Sequence, residues 1–314
     1  MSKRRSIDLR SLPKFRDGIS YVYIERGRIE RDDSSIAWYG PDGAVALPAA
    51  TLSTLLLGPG ATITHAAVMA LVDNGASIAW VGEGSVRFYA SGVGETRSAR
   101  NLEKQARAWA NEEYKLQVVR KLYAYRFPEK LDPNLTLQQI RGKEGVRVRT
   151  AYSRAAKEYG IKWRGRNYER EDWSDADAVN RALSAGNACL YGLCHAAIVS
   201  MGFSPALGFL HSGKQLSFVY DVADLYKAEV IVPTAFAAAS VGIDDVERRV
   251  RLALRDEFRQ SKLLDRVSKD LLGLFDLEEV ASDVYDTDAA KPGDIWDGGD
   301  TFVEGGVAYG RDDT

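Results

Sequence analysis

A chain of 314 residues, 45% of them hydrophobic, is long enough to bury a substantial core and suits two domains better than one. Only two cysteines are present, which excludes a disulfide-stapled secreted scaffold and fits a reducing cytosol, so a cytoplasmic location is expected. The basic start has no apolar stretch behind it and no apolar run reaches the roughly 18 residues of a membrane span, so neither a signal peptide nor a membrane protein is expected.

Residues 19–91 read as strands. ISYVYIE, SSIAWYG, AVALP, STLLLG, SIAWVG and SVRFYASG are short apolar or alternating runs, bounded by turn residues such as Pro41, Gly43, Gly58, Pro59 and Gly60. One helix, HAAVMALVDNG, interrupts them, with Gly75 placed to end it. After Gly94 the pattern changes. ETRSARNLEKQARAWANEEYKLQVVRKLYAYRF keeps helical periodicity without a breaker and predicts one long helix, closed by Pro128 and Pro133.

A second helix is predicted from Leu135 to Tyr159. A third, VNRALSAGNACLYGLCHAAIVSMG, would be capped by Asp175 or Asp177. It is apolar nearly all round and belongs at the centre of a bundle. Further helices are expected over 217–229, 233–240, 244–260 and 262–276. The fold class is therefore α+β: a β-rich domain over 1–92, a larger all-helical domain over 93–280, and a tail over 281–314 expected to be disordered or docked on a partner. Tyr285, Ile295, Trp296, Phe302, Val303 and Tyr309 give that tail more apolar groups than a solvating segment needs.

The net charge of −2 conceals a segregation. From Glu95 to Arg170 there are 19 Lys/Arg against 9 Asp/Glu, whereas Glu279 to Thr314 holds 2 against 10. A strongly basic middle in an acidic chain suggests a polyanionic partner, with a solvated helix face as the alternative. Arg97, Arg100, Lys104 and Arg107 recur near helical spacing. Lys162, Trp163, Arg164, Arg166 and Tyr168 interleave cations with rings, which suits either phosphates and unpaired bases or a polar loop with buried rings.

Among candidate chemical groups, the stretch from Gly208 to Gln215 nearly matches a phosphate-binding loop but has Gln215 where Ser or Thr should hold magnesium, so an NTPase is not expected. Cys189 and Cys194 lie in the apolar helix and read as buried thiols, and His195 beside them as a core histidine. His211 sits in the glycine-flanked loop GFLHSGK. Asp221, Asp224 and Lys227 follow at i, i+3 spacing and would form one polar stripe on an otherwise apolar helix; Lys227 could pair with either carboxylate. Glu144 has Arg141 and Arg147 at i−3 and i+3, either as surface ion pairs or as phosphate-binding neighbours. Glu144, His211 and Asp224 together make a mixed oxygen and nitrogen donor set that suits Mg2+ or Mn2+ better than structural zinc.

PALGFLHSGKQLSFVYDVADLYK (205–227), QIRGKEGVRVRTAY (139–152), VGEGSVRFYASG (81–92) and WRGRNYEREDW (163–173) resemble, in order and spacing, the blocks of the CRISPR-associated protein one family, and especially its subtype I-E branch. The resemblance covers about residues 20–280. It implies a spacer-acquisition integrase that inserts short DNA into the CRISPR array by attack of a 3′-hydroxyl on a phosphodiester. It implies Glu144, His211 and Asp224 as metal ligands, Asp221 and Lys227 as supporting catalytic positions, and Arg87, Arg166, Tyr168 and Tyr191 as positions near the DNA or the active site.

As partners, the resemblance implies spacer-precursor and leader-repeat DNA, a homodimer, and a heterohexamer with CRISPR-associated protein two. A metal-dependent endonuclease on branched or single-stranded DNA or RNA is the alternative reading. Arg26, before Gly27, stands where a close relative in this branch has a tyrosine that wedges apart the ends of incoming DNA; Tyr21, Tyr23 or another group would serve here.

Overall fold

The computed structural model describes residues 21–33, 35–41, 43–52, 54–83, 87–92, 99–163, 165, 178–277, 295–296 and 302–303. Two four-stranded sheets make up the first lobe. One has the order β1 (Tyr21–Ile24), β5 (Thr54–Leu57), β7 (Ser77–Val81), β8 (Phe88–Gly92), with β8 antiparallel to β7. The other runs β4 (Gly43–Leu47), β3 (Ser35–Gly40), β2 (Gly27–Asp32), β6 (Ala61–Ile63). Two neighbouring strands leave the first sheet for the second side by side. Gly58 N donates to Ile24 O at 2.7 Å and Arg26 N to Pro59 O at 3.0 Å across that crossing.

Arg26 adopts a left-handed φ of 57° there and Gly27 one of 85°. A Cβ on Gly27 would stand 2.4 Å from Tyr39 O, so the turn requires glycine at that position. The crossing therefore fixes Arg26 in a tight backbone turn whose carbonyl accepts from Trp38 Nε1 at 2.8 Å. The hydroxyl of the half-buried Tyr23 is taken up by Glu25. Helix α1 (His65–Asp73) packs against β2, β3 and β7. Thr64 caps it, and Gly75, with φ 72°, follows it as expected.

The strand GRIERD (β2) was not expected. Only Ile29 of its side chains is buried, so hydrophobic alternation did not reveal it.

The helical lobe contains α2 (Arg100–Ala110), α3 (Glu112–Ala124), α4 (Leu137–Glu158), α5 (Ala178–Ser200), α6 (Ser217–Ala223), α7 (Val232–Ser240), α8 (Val246–Gln260) and α9 (Leu263–Leu274). The single long helix expected after Gly94 is in fact two. Asn111 turns to extended geometry (φ −99°, ψ 123°), and its side chain accepts from Tyr114 N at 3.0 Å. Asparagine offers the backbone a local partner in place of the helical one, which ends α2 and starts α3 in one residue.

The helix expected over 217–229 is likewise divided. α6 ends at Ala223, and Lys227–Ile231 forms a π-helical turn that leads into α7. Pro233, in the first turn of α7, cannot donate a backbone hydrogen bond, which favours this widened turn.

Helix α5 is the one described helix long and apolar enough to cross a membrane, but α6, α7, α8 and α9 pack around it and β7 and β8 lie against it. Both cysteines lie buried in it. Burial pushes the Cys189 thiol up to about 12 and Cys194 higher still, so neither is a ready nucleophile. The core of the helical lobe is continuous with Leu56, Ala79 and Val81 of the first sheet, so the two lobes share packing.

His195 stacks on Phe88 at that junction, ring centroids 3.8 Å apart, and burial lowers its pKa to about 4. Because the folded value lies below the ordinary one, this ring contributes stability above about pH 6.5 that is lost as pH falls towards 4. His195→Phe is expected to remove an acid sensitivity on the order of 2 kcal/mol, after allowing for partial exposure. Urea unfolding of both proteins between pH 7 and 4 measures it, and parallel profiles would contradict it.

Most of the acidic tail lies outside the described residues. Within it, Ile295–Trp296 pairs antiparallel with Phe302–Val303, so four of the apolar residues singled out in the sequence meet in one short pair of strands.

Candidate active site

Four segments of the helical lobe converge: the end of α3, the middle of α4, the loop 203–216 and the turn after α6. The loop is held from two sides. On one side α2 presents Asn101, Gln105 and Trp109 at i, i+4, i+8. Asn101 Nδ2 donates to Met201 O at 2.8 Å. The buried Gln105 donates to Ser204 O (3.0 Å) and Leu207 O (3.2 Å) and accepts from Ser204 N (2.7 Å). Trp109 Nε1 donates to Gly208 O at 3.1 Å. Gly208 has no room for a side chain, since a Cβ would meet His211 O at 2.3 Å.

On the other side stands Asp221, 0% exposed. Its carboxylate accepts from Phe209 N (2.5 Å), Leu210 N (3.0 Å), His211 N (2.9 Å) and His211 Nδ1 (2.7 Å). Three backbone donors and an imidazole satisfy a charge that burial alone would penalise heavily. The hydrogen bond that His211 donates to Asp221 holds the His211 pKa above its ordinary value, against a lowering by burial. When the ring is neutral, a proton on Nδ1 facing Asp221 leaves the Nε2 lone pair directed outward. That is the tautomer an imidazole ligand needs. The side chain of His211 is 45% exposed.

The expected stripe of Asp221, Asp224 and Lys227 is thus divided. Asp221 turns into the loop, whereas Asp224 and Lys227 pair with each other, Nζ to Oδ1 at 2.6 Å. Burial would lower the Lys227 pKa, but Asp224 and Tyr191 outweigh it and hold the ammonium above its usual range, so it stays charged at neutral pH. Its Nζ lies 4.8 Å from the centroid of the Tyr191 ring. Tyr220 stands edge-on to both Tyr191 (5.0 Å) and His211 (5.8 Å).

Glu144, on α4, is held bidentately by Arg147: Nε to Oε2 and Nη2 to Oε1, both 3.0 Å. Arg147 is thereby committed to a carboxylate. Arg141 is exposed and has no ion pair among the described residues. Arg87 is exposed just before β8. Trp163 stacks on Tyr152 at 5.2 Å and meets Phe236 edge-on at 5.4 Å, so its ring belongs to the core. Arg97, Arg164, Arg166 and Tyr168 lie outside the described residues.

One residue had no signal in the sequence. Arg126, just past α3, lies between the two outer carboxylates: Nη1 is 3.4 Å from Glu144 Oε1 and Nη2 is 3.7 Å from Asp224 Oδ2. Its side chain is 6% exposed, and its Nε and Nη2 have no hydrogen-bond partner among the described residues. Nothing in the local run YAYRF marks it, because its role exists only once α3, α4 and α6 have packed.

Two carboxylates already converging on one cationic centre, with an outward imidazole nitrogen nearby, fit a hard divalent cation in donor type and charge. Among the described residues, no three His, Cys, Asp or Glu side chains stand close enough to share an ion as they are placed. The guanidinium of Arg126 lies between Glu144 and Asp224.

Comparison with known proteins gives a consistent picture. Residues 123–263 match the family model of CRISPR associated protein Cas1. A CRISPR-associated endonuclease Cas1 of Thermus thermophilus is 55% identical over 309 residues, covering 98% of this chain and 94% of the relative. The Cas1 endonuclease of Escherichia coli is 40% identical over 253 residues, covering 80% of this chain and 83% of the relative. A crystal structure of a TtCas1–DNA complex superposes with a TM-score of 0.79 at 57% identity, covering 84% of this chain and 99% of that one.

Proposed function

The chain belongs to the CRISPR-associated protein Cas1 family, and from that premise we propose that it is a metal-dependent DNA integrase of CRISPR adaptation. The observation that carries the chemistry is the convergence of Glu144 and Asp224 on a single cationic centre, beside an imidazole whose Nδ1 is tied to Asp221. The named activity of the relatives and the DNA complex of a 57% identical one support a nucleic-acid substrate.

In the proposed reaction a 3′-hydroxyl oxygen of incoming DNA bonds to a target phosphorus while the bond from that phosphorus to the target's own 3′-oxygen breaks. The proton lost by the attacking hydroxyl is balanced by one gained at the leaving oxygen. One phosphodiester replaces another, so no nucleotide hydrolysis is needed. Glu144, Asp224 and His211 Nε2 would hold Mg2+ or Mn2+, which supplies charge stabilisation at the phosphoryl oxygens. Arg147 fixes the Glu144 carboxylate, Asp221 fixes the imidazole, and Lys227 keeps a permanent positive charge beside Asp224. Arg141 and Arg87, both exposed, are free to meet phosphates, and the segment holding Arg166 and Tyr168 would extend that contact. The proposal includes a homodimer, assembly with CRISPR-associated protein two, and work in the cytosol.

A plain endonuclease would use water as the nucleophile at the same site. Labelled duplexes ending in a 3′-hydroxyl or a blocked 3′ end, offered with a leader-repeat plasmid in Mn2+ and with CRISPR-associated protein two, separate the two. Joining confined to the free hydroxyl is expected. Cutting that ignores the 3′ end, with no joining, would replace the integrase by the nuclease.

A further inference from the structure

Arg126 is held unlike any other cation at the site. Each outer carboxylate already has a tighter partner, Arg147 at 3.0 Å on Glu144 and Lys227 at 2.6 Å on Asp224. The contacts of Arg126 with the same two groups are longer, at 3.4 and 3.7 Å. The guanidinium also lies over the face of Tyr123, 5.1 Å from the guanidinium carbon to the ring centroid. A buried guanidinium that leaves Nε and Nη2 without acceptors is costly, so better packing alone does not explain it. What it does supply is positive charge between two carboxylates that would otherwise face each other across a poorly solvated gap.

We propose that Arg126 is an exchangeable counter-cation: in the metal-free protein its guanidinium holds Glu144 and Asp224 in place, and it withdraws when a divalent cation enters between them. The inference rests on the metal-centre reading above. Its loose contacts make the exchange possible, and the cation–π contact with Tyr123 gives the side chain a fixed surface along which to withdraw. The exchange also sets a threshold, because a metal must compete with a resident charge. The apparent affinity is reduced by the fraction of molecules in which the guanidinium is out.

The test is Mn2+ binding followed by electron paramagnetic resonance, together with thermal melting with and without Mn2+, on the full chain and on Arg126→Met and Arg126→Lys. Asp224→Asn identifies the ion bound at this site. Arg126→Met is expected to melt lower without metal, to gain more from Mn2+ than wild type, and to bind it about tenfold more tightly or better. Arg126→Lys, which keeps the charge but not the span, should fall between the two and guards against a folding defect in the first variant. If wild type binds Mn2+ and both variants bind it equally or more weakly, Arg126 is a support and not a competitor; the exchange is then wrong while the metal centre stands. If no chain takes up Mn2+ in a manner sensitive to Asp224→Asn, the metal reading and the exchange fall together.

Discussion

Asp221→Ala is expected to abolish joining and to destabilise the protein by roughly 3–5 kcal/mol, though Asp221 is not among the three proposed ligands. The substitution removes four hydrogen bonds at once. Phe209 N, Leu210 N and His211 N lose their acceptor, and the imidazole of His211 loses the group that sets its tautomer. Part of the cost is the desolvation of donors left unpaired around the fully buried position of the Asp221 carboxylate. The second consequence is functional, since a loop without this anchor no longer aims Nε2 outward. Asp221→Asn separates the two effects. It retains one oxygen acceptor, so stability should recover in part, while an amide N–H set against backbone donors leaves the loop misplaced and activity low. Urea unfolding and the joining assay together check this. An alanine variant that unfolds with the wild-type midpoint would contradict the account of the loop.

Glu144→Gln, His211→Ala and Asp224→Asn are each expected to lower the joining rate by roughly 100-fold or more, several kcal/mol of barrier. Duplex binding should change far less. The reason is local, as each substitution removes a donor or a charge from one small centre, whereas affinity for DNA is spread over many phosphate contacts. Gel-shift titration and single-turnover joining on the same preparations distinguish these readouts. Of the three, Asp224→Asn also frees Lys227 from its nearest carboxylate, and the ammonium is then left half-buried beside Tyr191 with less compensation. Glu144→Gln likewise leaves Arg147 and the more deeply buried Arg126 with less compensation, so both carboxylate variants should lose thermal stability. A triad variant that joins DNA at the wild-type rate would remove that residue from the centre.

Much of this arrangement was legible in the sequence. Helix α5 could be placed centrally because it is apolar nearly all round, and spacing brought Lys227 within reach of a carboxylate without choosing between Asp221 and Asp224; the structure pairs it with Asp224. The thiols and His195 could be assigned to the core on the same ground. The losses are instructive. Spacing put Asp221 on one stripe with Asp224, but α6 ends at Ala223, between them, and the two carboxylates take different partners: the backbone of the 209–211 loop for Asp221, Lys227 and Arg126 for Asp224. The two arginines flanking Glu144 look equivalent in sequence. Only Arg147 pairs with it, because Arg141 faces solvent. Trp163 lies in a run of cations that suggested base stacking, yet its partners Tyr152 and Phe236 come from distant elements. Arg126 illustrates the general case: a residue that matters through three packed helices has no local pattern from which to be read.

The proposed chemistry requires one site for one ion. A crystal soaked in Mn2+, with diffraction recorded at the manganese absorption edge, tests it directly. The predicted result is an anomalous peak bounded by Glu144, Asp224 and His211 Nε2, with the guanidinium of Arg126 moved away from between the carboxylates. A peak elsewhere, or none at this site while Arg126 keeps its contacts with Glu144 and Asp224, would contradict it.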